Sequence, residues 1–169
     1  MAVVLEGSPP VLDQPPSDQV LSCSSYGCPF PPTALNAKAG KLRLGGLDGL
    51  FTYHDPCDLG RVSGIYDAPR SVIGAVPGIR YVELEESRQY SACCGSGGDL
   101  LASDQNLSLA AAGRRLDHVE RSGAATIVTA CPSCIRGMIM SKTAAKRPVN
   151  IMDITQLVWK TVNTKKEGA

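Results

Sequence analysis

The chain has 169 residues, which is enough for one domain of ordinary size with an additional arm but not for two full cores. Lysine and arginine number 17 against 16 aspartates and glutamates, and no basic stripe is interleaved with aromatic residues, so nucleic acid is not an expected partner. No run of about 18 apolar residues is present to cross a bilayer, and the first residues lack the pattern of a secretory signal, so we expect a cytoplasmic protein that is not transmembrane.

Residues 1–49 are predicted to form an extended arm or linker. Most of the prolines of the chain fall in its first part, where they exclude helix interiors and central strands: Pro9, Pro10, Pro15, Pro16, Pro29, Pro31 and Pro32. Residues 33–49 are rich in glycine and alanine and weakly patterned, which indicates a connection or one short helix.

Four strands are predicted from short apolar runs that are bounded by turn residues. They are LFTYH (50–54), IRYVELE (79–85), TIVTA (126–130) and VNIMD (149–153). Four helices are predicted after them from the spacing of apolar residues, over 65–76, over 105–121 with Asp104 as N-cap, from Cys131 onward, and over 154–162.

Strands that alternate with helices through short turns favour an α/β fold, with a mostly parallel, Rossmann-like sheet that has helices on both faces. The predicted domain spans residues 50–163, and residues 164–169 are predicted to be a disordered tail.

Seven cysteines in a reducing compartment are more typical of metal or redox ligands than of disulfides. Five of them lie in the segments that follow the first three predicted strands: Cys57 after the first, Cys93 and Cys94 in the loop after the second, and Cys131 and Cys134 at the start of the helix after the third. Because the carboxyl ends of parallel strands meet at one edge of a sheet, we expect three loops to bring five sulfurs together there.

The Cys131-Pro132-Ser133-Cys134 motif is predicted to open a helix, with Cys131 as N-cap and Pro132 at the first helical position. A helix N-terminus favours the thiolate, which serves metal ligation or nucleophilic attack. The adjacent Cys93 and Cys94 need a bend to converge on one centre, and the glycines of CCGSGG permit it.

Cys57 lies 36 positions before the CCG motif, and the CxxC motif begins 37 positions after it. This pattern resembles the cysteine-rich CCG domain that occurs in heterodisulfide reductases of the B and D types, in the iron-sulfur component of glycolate oxidase, and in anaerobic glycerol-3-phosphate dehydrogenase. The resemblance extends from Leu50 to Val162 and includes the segments TYHDPCDLGR, GIYDAPR, CCGSGG, TACPSC and VNIMDITQLV.

The resemblance implies an iron-sulfur electron-transfer domain or subunit of a heterodisulfide-reductase-like oxidoreductase. Its implied cluster is 4Fe-4S, non-cubane in the heterodisulfide reductase B type, with these ligands: Cys57, Cys93, Cys94, Cys131 and Cys134. Implied partners are ferredoxin-like or flavin-containing redox subunits and a thiol or disulfide small molecule. Relatives usually carry two such domains in tandem, and this chain carries one complete set. Three arrangements therefore stay open: an electron carrier, a cofactor-bearing subunit of a larger complex, or half of a dimer.

Three other interpretations of the cysteines stay open. A structural zinc could be held by four of them, which would make the domain an interaction module without redox activity. A thioredoxin-like dithiol could use the CxxC motif alone, and buried thiols could serve packing only. Cys23 and Cys28 have the wrong spacing to complete a second set and are interpreted as thiols of the arm.

His54 is the candidate catalytic residue, since it precedes Cys57 and could exchange protons near a bound disulfide; packing at a strand end is the alternative. Asp55 is interpreted as a turn residue, and His118 as solvated. Arg61 and Arg70 are candidates for offsetting the charge of a thiolate-bound cluster, with ordinary surface positions as the alternative.

Overall fold

The computed structural model describes residues 43–163. The predictions for residues 1–42, including Cys23 and Cys28, and for the tail at 164–169 lie outside the described residues. The strands are β1 (Gly49–His54), β2 (Ile79–Tyr81), β3 (Thr126–Thr129) and β4 (Asn150–Asp153). The helices are α1 (Asp67–Gly74), α2 (Leu100–Ser103), α3 (Gln105–Ser122), α4 (Pro132–Ala145) and α5 (Ile154–Asn163).

The four strands form one parallel sheet in the order β2-β1-β3-β4, which confirms the predicted α/β class. The chain moves from β1 to one side for β2 and then to the other side for β3 and β4. Neighbouring strands β1 and β3 therefore send their following loops in opposite directions, and a crevice forms between those loops at the carboxyl edge. His54 and Thr129 are the paired residues at that point.

Each face of the sheet is covered by two helices and carries its own apolar core, as predicted. Successive residues of β1 point to opposite faces, so Phe51 and Tyr53 pack in the core under α1 and α5. Ile127 of β3 packs on the other face, under α3 and α4, where the buried Cys94 and Cys134 belong to the same apolar cluster. Two of the cysteines thus lie inside a core rather than on its surface.

The second strand is shorter than predicted and ends at Tyr81. β2 is an edge strand: the Val82 amide still donates to the Phe51 carbonyl at 2.9 Å, but the chain then leaves the sheet. The side chain of Glu83 accepts from Arg70, and Leu84 turns into the core at 2% exposure. The alternation of IRYVELE therefore reflects tertiary contacts after Tyr81 rather than strand pairing.

Other differences from the predicted elements are local. Turns of π-helix at Asp58–Val62 and of 3-10 helix at Arg88–Tyr90, and the short α2, were not predicted. The solvated position predicted for His118 is wrong, since this residue is 5% exposed.

Asp104 caps α3 as predicted, because its Oδ1 accepts from the Leu107 amide at 2.9 Å. We expect Asp104→Ala to lower the free energy of unfolding by about 1 kcal/mol, since a first-turn amide loses its partner. Urea unfolding followed by circular dichroism measures this change. Asp104→Asn keeps the acceptor and should lose much less; an equal loss in both variants would contradict a capping role.

Within residues 43–163, none of the helices combines the length and the apolar character needed to cross a membrane.

Candidate metal centre

The five described cysteines follow the first three strands, as predicted, and none forms a disulfide. Cys57 precedes the π-helical turn after β1, Cys93 and Cys94 lie in the loop between β2 and α2, and Cys131 and Cys134 lie at the start of α4. They differ in exposure. Cys57 and Cys93 are exposed, Cys131 is half-buried, and Cys94 and Cys134 are buried.

Cys94 and Cys134 form the closest sulfur pair, with 3.0 Å between their Sγ atoms. Their exposed fractions are 4% and 2%. The Cys134 thiol lowers the pKa of Cys94 to about 4, against the opposing effect of burial, while the same contact with Cys131 and Cys94 raises the pKa of Cys134. The contact therefore favours ionisation of Cys94 over Cys134, and the two sulfurs together are a donor pair for a cation inside an apolar core.

Cys131 adds a third sulfur through the geometry of the α4 N-terminus. It is the N-cap, in an extended backbone conformation, and Pro132 opens the helix as predicted. The pKa of Cys131 falls to about 6, chiefly through the Cys134 thiol, with further contributions from the backbone amides of Ser133 and Cys134. The predicted effect of the helix N-terminus on this thiol is present, but it is secondary to the neighbouring sulfur.

His54 lies beside the buried sulfur pair. One imidazole nitrogen and the Sγ atoms of Cys94 and Cys134 all lie within 4.8 Å of one another. The side chain is 1% exposed, and burial lowers the pKa of His54 despite the opposing influence of Cys94. Within residues 43–163, neither ring nitrogen makes a hydrogen bond of good geometry, and Cys94 is the side chain that acts most strongly on the imidazole. The ring can therefore donate to that sulfur or bind a metal.

The β1–β3 pairing fixes the backbone of His54, whose carbonyl accepts from Thr129 Oγ1 at 3.1 Å. The sequence predicted that His54 would lie near the cysteines, and its position agrees with that expectation. Its contact with Cys94 and Cys134, rather than with the nearby Cys57, required the sheet register.

Cys57, Cys93 and Cys131 lie outside the group of atoms within 4.8 Å of one another, and of these three Cys57 and Cys93 are exposed. Partial burial raises the pKa of Cys57, and the negative charges of Asp58, Cys93 and Cys94 raise it further. The Cys93 sulfur accepts from the Gly95 amide at 3.3 Å. These two sulfurs thus share an electrostatic environment with the buried pair but face solvent.

The loop that carries Cys93 and Cys94 is held between α3 and α4 by two close approaches. Gly95 has φ of +71°, and a Cβ there would meet the Ala111 Cβ and the Ser108 carbonyl oxygen, each at 2.7 Å. On the other side, a Cβ at Gly137 of α4 would lie 2.7 Å from the Ser96 Cβ. Both helices therefore contact the loop where only glycine fits, which determines the position of Cys94.

Asp55 has a larger role than the turn predicted for it. Its carboxylate is buried and accepts from Arg70 Nη1 at 2.7 Å, from Arg70 Nη2 at 2.8 Å, and from the Arg88 amide at 2.8 Å. Arg88 precedes the second cysteine loop, so Asp55 connects the loop of Cys57 to the loop of Cys93. A single buried carboxylate with several hydrogen-bond donors leaves no periodic pattern of apolar residues in the sequence, so the sequence did not predict this role.

The two arginines considered for charge balance are occupied elsewhere. Arg70 is fully paired with Asp55 and Glu83, at 2.7 Å and 2.6 Å, so its charge is already matched by two carboxylates. Arg61 is exposed and donates to the Ser91 carbonyl at 3.3 Å. Within the described part of the chain, neither side chain donates a hydrogen bond to a cysteine sulfur.

Curated proteins that share sequence with this chain include the following three. A dihydromethanophenazine:CoB–CoM heterodisulfide reductase subunit from Methanosarcina barkeri is 37% identical over 108 residues, which are 64% of this chain and 26% of that protein. A protein of Bacillus subtilis named a probable iron-sulfur-binding oxidoreductase is 34% identical over 129 residues, 74% of this chain and 18% of its own. An EtfAB:quinone oxidoreductase of Syntrophomonas wolfei is 30% identical over 119 residues, 65% of this chain and 16% of its own.

The chain thus matches about a quarter or less of the length of these relatives. The family model for the cysteine-rich domain CCG matches residues 51–138, which include all five cysteines of the site. Together with the parallel sheet and the three cysteine-bearing loops, this match establishes that the chain belongs to the cysteine-rich CCG domain family.

Proposed function

We propose that this chain is an iron-sulfur electron-transfer module of a larger oxidoreductase. The observation that carries the proposal is the buried Cys94–Cys134 sulfur pair, 3.0 Å apart, at the edge of the sheet where three further cysteines gather. Relatives whose names denote iron-sulfur or redox proteins share this region of sequence. When bound, an iron-sulfur cluster accepts and releases one electron at a time.

The donor atoms of the site suit such a cluster. Thiolate sulfur is the ligand that iron-sulfur clusters take, and Cys94 and Cys131 both have pKa values below the ordinary range, at about 4 and about 6. The imidazole of His54 beside them is a buried polar group that makes no hydrogen bond of good geometry and interacts with the Cys94 sulfur. Together they favour a centre of positive metal ions in this crevice.

The proposed ligands are the five cysteines: Cys57, Cys93, Cys94, Cys131 and Cys134. A cubane cluster takes four protein ligands, so a set of five favours a 4Fe-4S cluster that is not a simple cube. The difference in exposure among the cysteines also favours a cluster that is not a simple cube. Cys57 and Cys93 are exposed while Cys94 and Cys134 are buried, and a compact cube does not require ligands that differ so much in exposure.

A thiol or disulfide small molecule is the proposed substrate class, and ferredoxin-like or flavin-containing subunits are the proposed redox partners. The exposed sulfurs of Cys57 and Cys93 support access to the centre from solvent. His54 is the proposed group for moving a proton at a substrate sulfur, since its pKa lies below the ordinary value and its imidazole has a free nitrogen.

The test is metal analysis of the anaerobically purified chain. We expect iron and acid-labile sulfide in about four equivalents each, with a visible absorption band that dithionite bleaches. A colourless protein without iron would contradict the proposal.

A structural zinc site is the second candidate, and one observation favours it. His54, Cys94 and Cys134 present a nitrogen and two sulfurs within 4.8 Å of one another, and thiolate and imidazole together are a zinc donor set. One equivalent of zinc in a colourless protein would support this candidate and make the chain an interaction module without redox activity.

A further inference from the structure

Arg115 is a buried cation that has few partners. It lies on α3 at 0% exposure, and its Nη1 donates to the Glu86 carbonyl at 2.6 Å. Within residues 43–163, its Nε and Nη2 have no hydrogen-bond partner. Burying a guanidinium without pairing it costs free energy, so we expect a negatively charged group with which Arg115 interacts.

The carboxylates near Arg115 are engaged by other cations. The oxygens of Asp55 accept from Arg70, and the carboxylate of Glu86 pairs with the exposed Arg114 at 2.6 Å. The negative charges of Asp55 and Glu86 therefore act on Arg115 electrostatically, but within residues 43–163 neither carboxylate forms an ion pair with it. Burial lowers the pKa of Arg115 to about 10, so the side chain still carries its charge at neutral pH.

The position of Arg115 relates it to the cysteine loop. Gly95 approaches α3 at Ser108 and Ala111, and Arg115 follows Ala111 by one helical turn. Its positive charge acts on His54, whose imidazole nitrogen lies within 4.8 Å of the Cys94 and Cys134 sulfurs. Arg115 is thus buried one helical turn beyond the contact of α3 with the cysteine loop, and its charge acts on the histidine that lies beside the buried sulfur pair.

We propose that Arg115 is the charge-balancing residue of the metal centre and raises its reduction potential. A one-electron reduction adds one negative charge to a site already surrounded by thiolates. A fixed positive charge in the same low-dielectric core stabilises that added charge. The inference rests on the proposed function, and it assigns to Arg115 the part that the sequence had suggested for Arg61 or Arg70.

The test is a potentiometric titration of the purified iron-loaded chain with dithionite as reductant, followed by visible absorption. Arg115→Gln removes the charge and keeps a donor that can reach the Glu86 carbonyl. We expect the equilibrium constant for one-electron reduction to fall about tenfold or more, a shift of about 59 mV to lower potential. The matched control is Arg114→Gln, which removes an exposed charge from the neighbouring position and should leave the potential near that of the wild type.

Arg115→Lys keeps the charge and separates electrostatics from packing. At neutral pH its potential should stay closer to the wild type than that of the glutamine variant. A buried lysine loses its proton more readily than a guanidinium, so raising the pH should lower the potential of the lysine variant more than that of the wild type. This comparison decides the question if Arg115→Gln does not fold.

The possible outcomes distinguish the inference from the proposed function. An iron-loaded glutamine variant with wild-type potential would overturn the inference alone, and so would equal shifts in the lysine and glutamine variants. If the glutamine variant does not fold, a lysine variant that follows the wild type at every pH would also overturn it. A wild-type chain without iron would overturn the inference and the proposed function together.

Discussion

Replacement of Cys94 with serine is expected to lower the iron retained by the purified chain about tenfold or more and to remove or rearrange the visible absorption band. Cys94 has the lowest thiol pKa in the described site, at about 4, and its sulfur lies 3.0 Å from that of Cys134. The serine hydroxyl is not ionised at neutral pH, so the substitution removes the Cys94 sulfur as an ionised metal ligand. Iron and sulfide analysis with visible spectroscopy measures the effect.

Two further variants make this prediction specific. Cys94→Ala avoids placing a hydroxyl in the apolar core, so loss of iron in both variants would be assigned to the missing sulfur rather than to a polar group. Cys28→Ser makes the same chemical change in the proline-rich segment and should retain its iron. Unchanged iron content and spectrum in Cys94→Ser would exclude Cys94 as a ligand.

The second large effect is expected at Gly95, where alanine should lower the free energy of unfolding by about 3 kcal/mol. The left-handed backbone with φ of +71° disfavours a Cβ by about 1 kcal/mol or more. Contacts of 2.7 Å with the Ala111 Cβ and the Ser108 carbonyl oxygen add an overpacking cost of about 1–3 kcal/mol. Because Ser108 contributes backbone atoms, α3 or the cysteine loop must move.

Gly97→Ala is the matched control in the same loop. No atom lies within 4 Å of a Cβ at Gly97, and its φ is not in the left-handed region, so we expect a change within about 0.5 kcal/mol. Urea unfolding of the metal-free chains compares the two variants, and iron retention tests whether the displaced loop still presents Cys94. Equal stability of both variants would contradict the close approach to α3.

Much of the fold could be predicted because its signals are local. Apolar runs and turn residues located all four strands, and Asp104 and Pro132 marked the starts of two helices. The predicted end of β2 was wrong because apolar and polar residues also alternate where the chain is not paired as a strand. Here Leu84 enters a core and Glu83 binds Arg70.

The candidate site was predictable in its sulfurs but not in its supporting groups. The cysteine spacing identified the three loops, since each cysteine follows a strand. Asp55, Arg115 and Gly137 act through partners that are distant in sequence, such as Arg88, Glu86 and Ser96. Only the register of the sheet and the packing of the helices bring those partners together.

The pairing of β1 with β3 has a consequence for the order of folding. The hydrogen bond from Thr129 to the His54 carbonyl joins residues 75 positions apart, and Cys134 follows β3 along the chain. Such distant contacts form late, because closing a long loop costs entropy before the contact repays it. A growing chain therefore carries Cys57, Cys93 and Cys94 as separate thiols until β3 has joined the sheet. The buried sulfur pair is consequently a product of the completed fold.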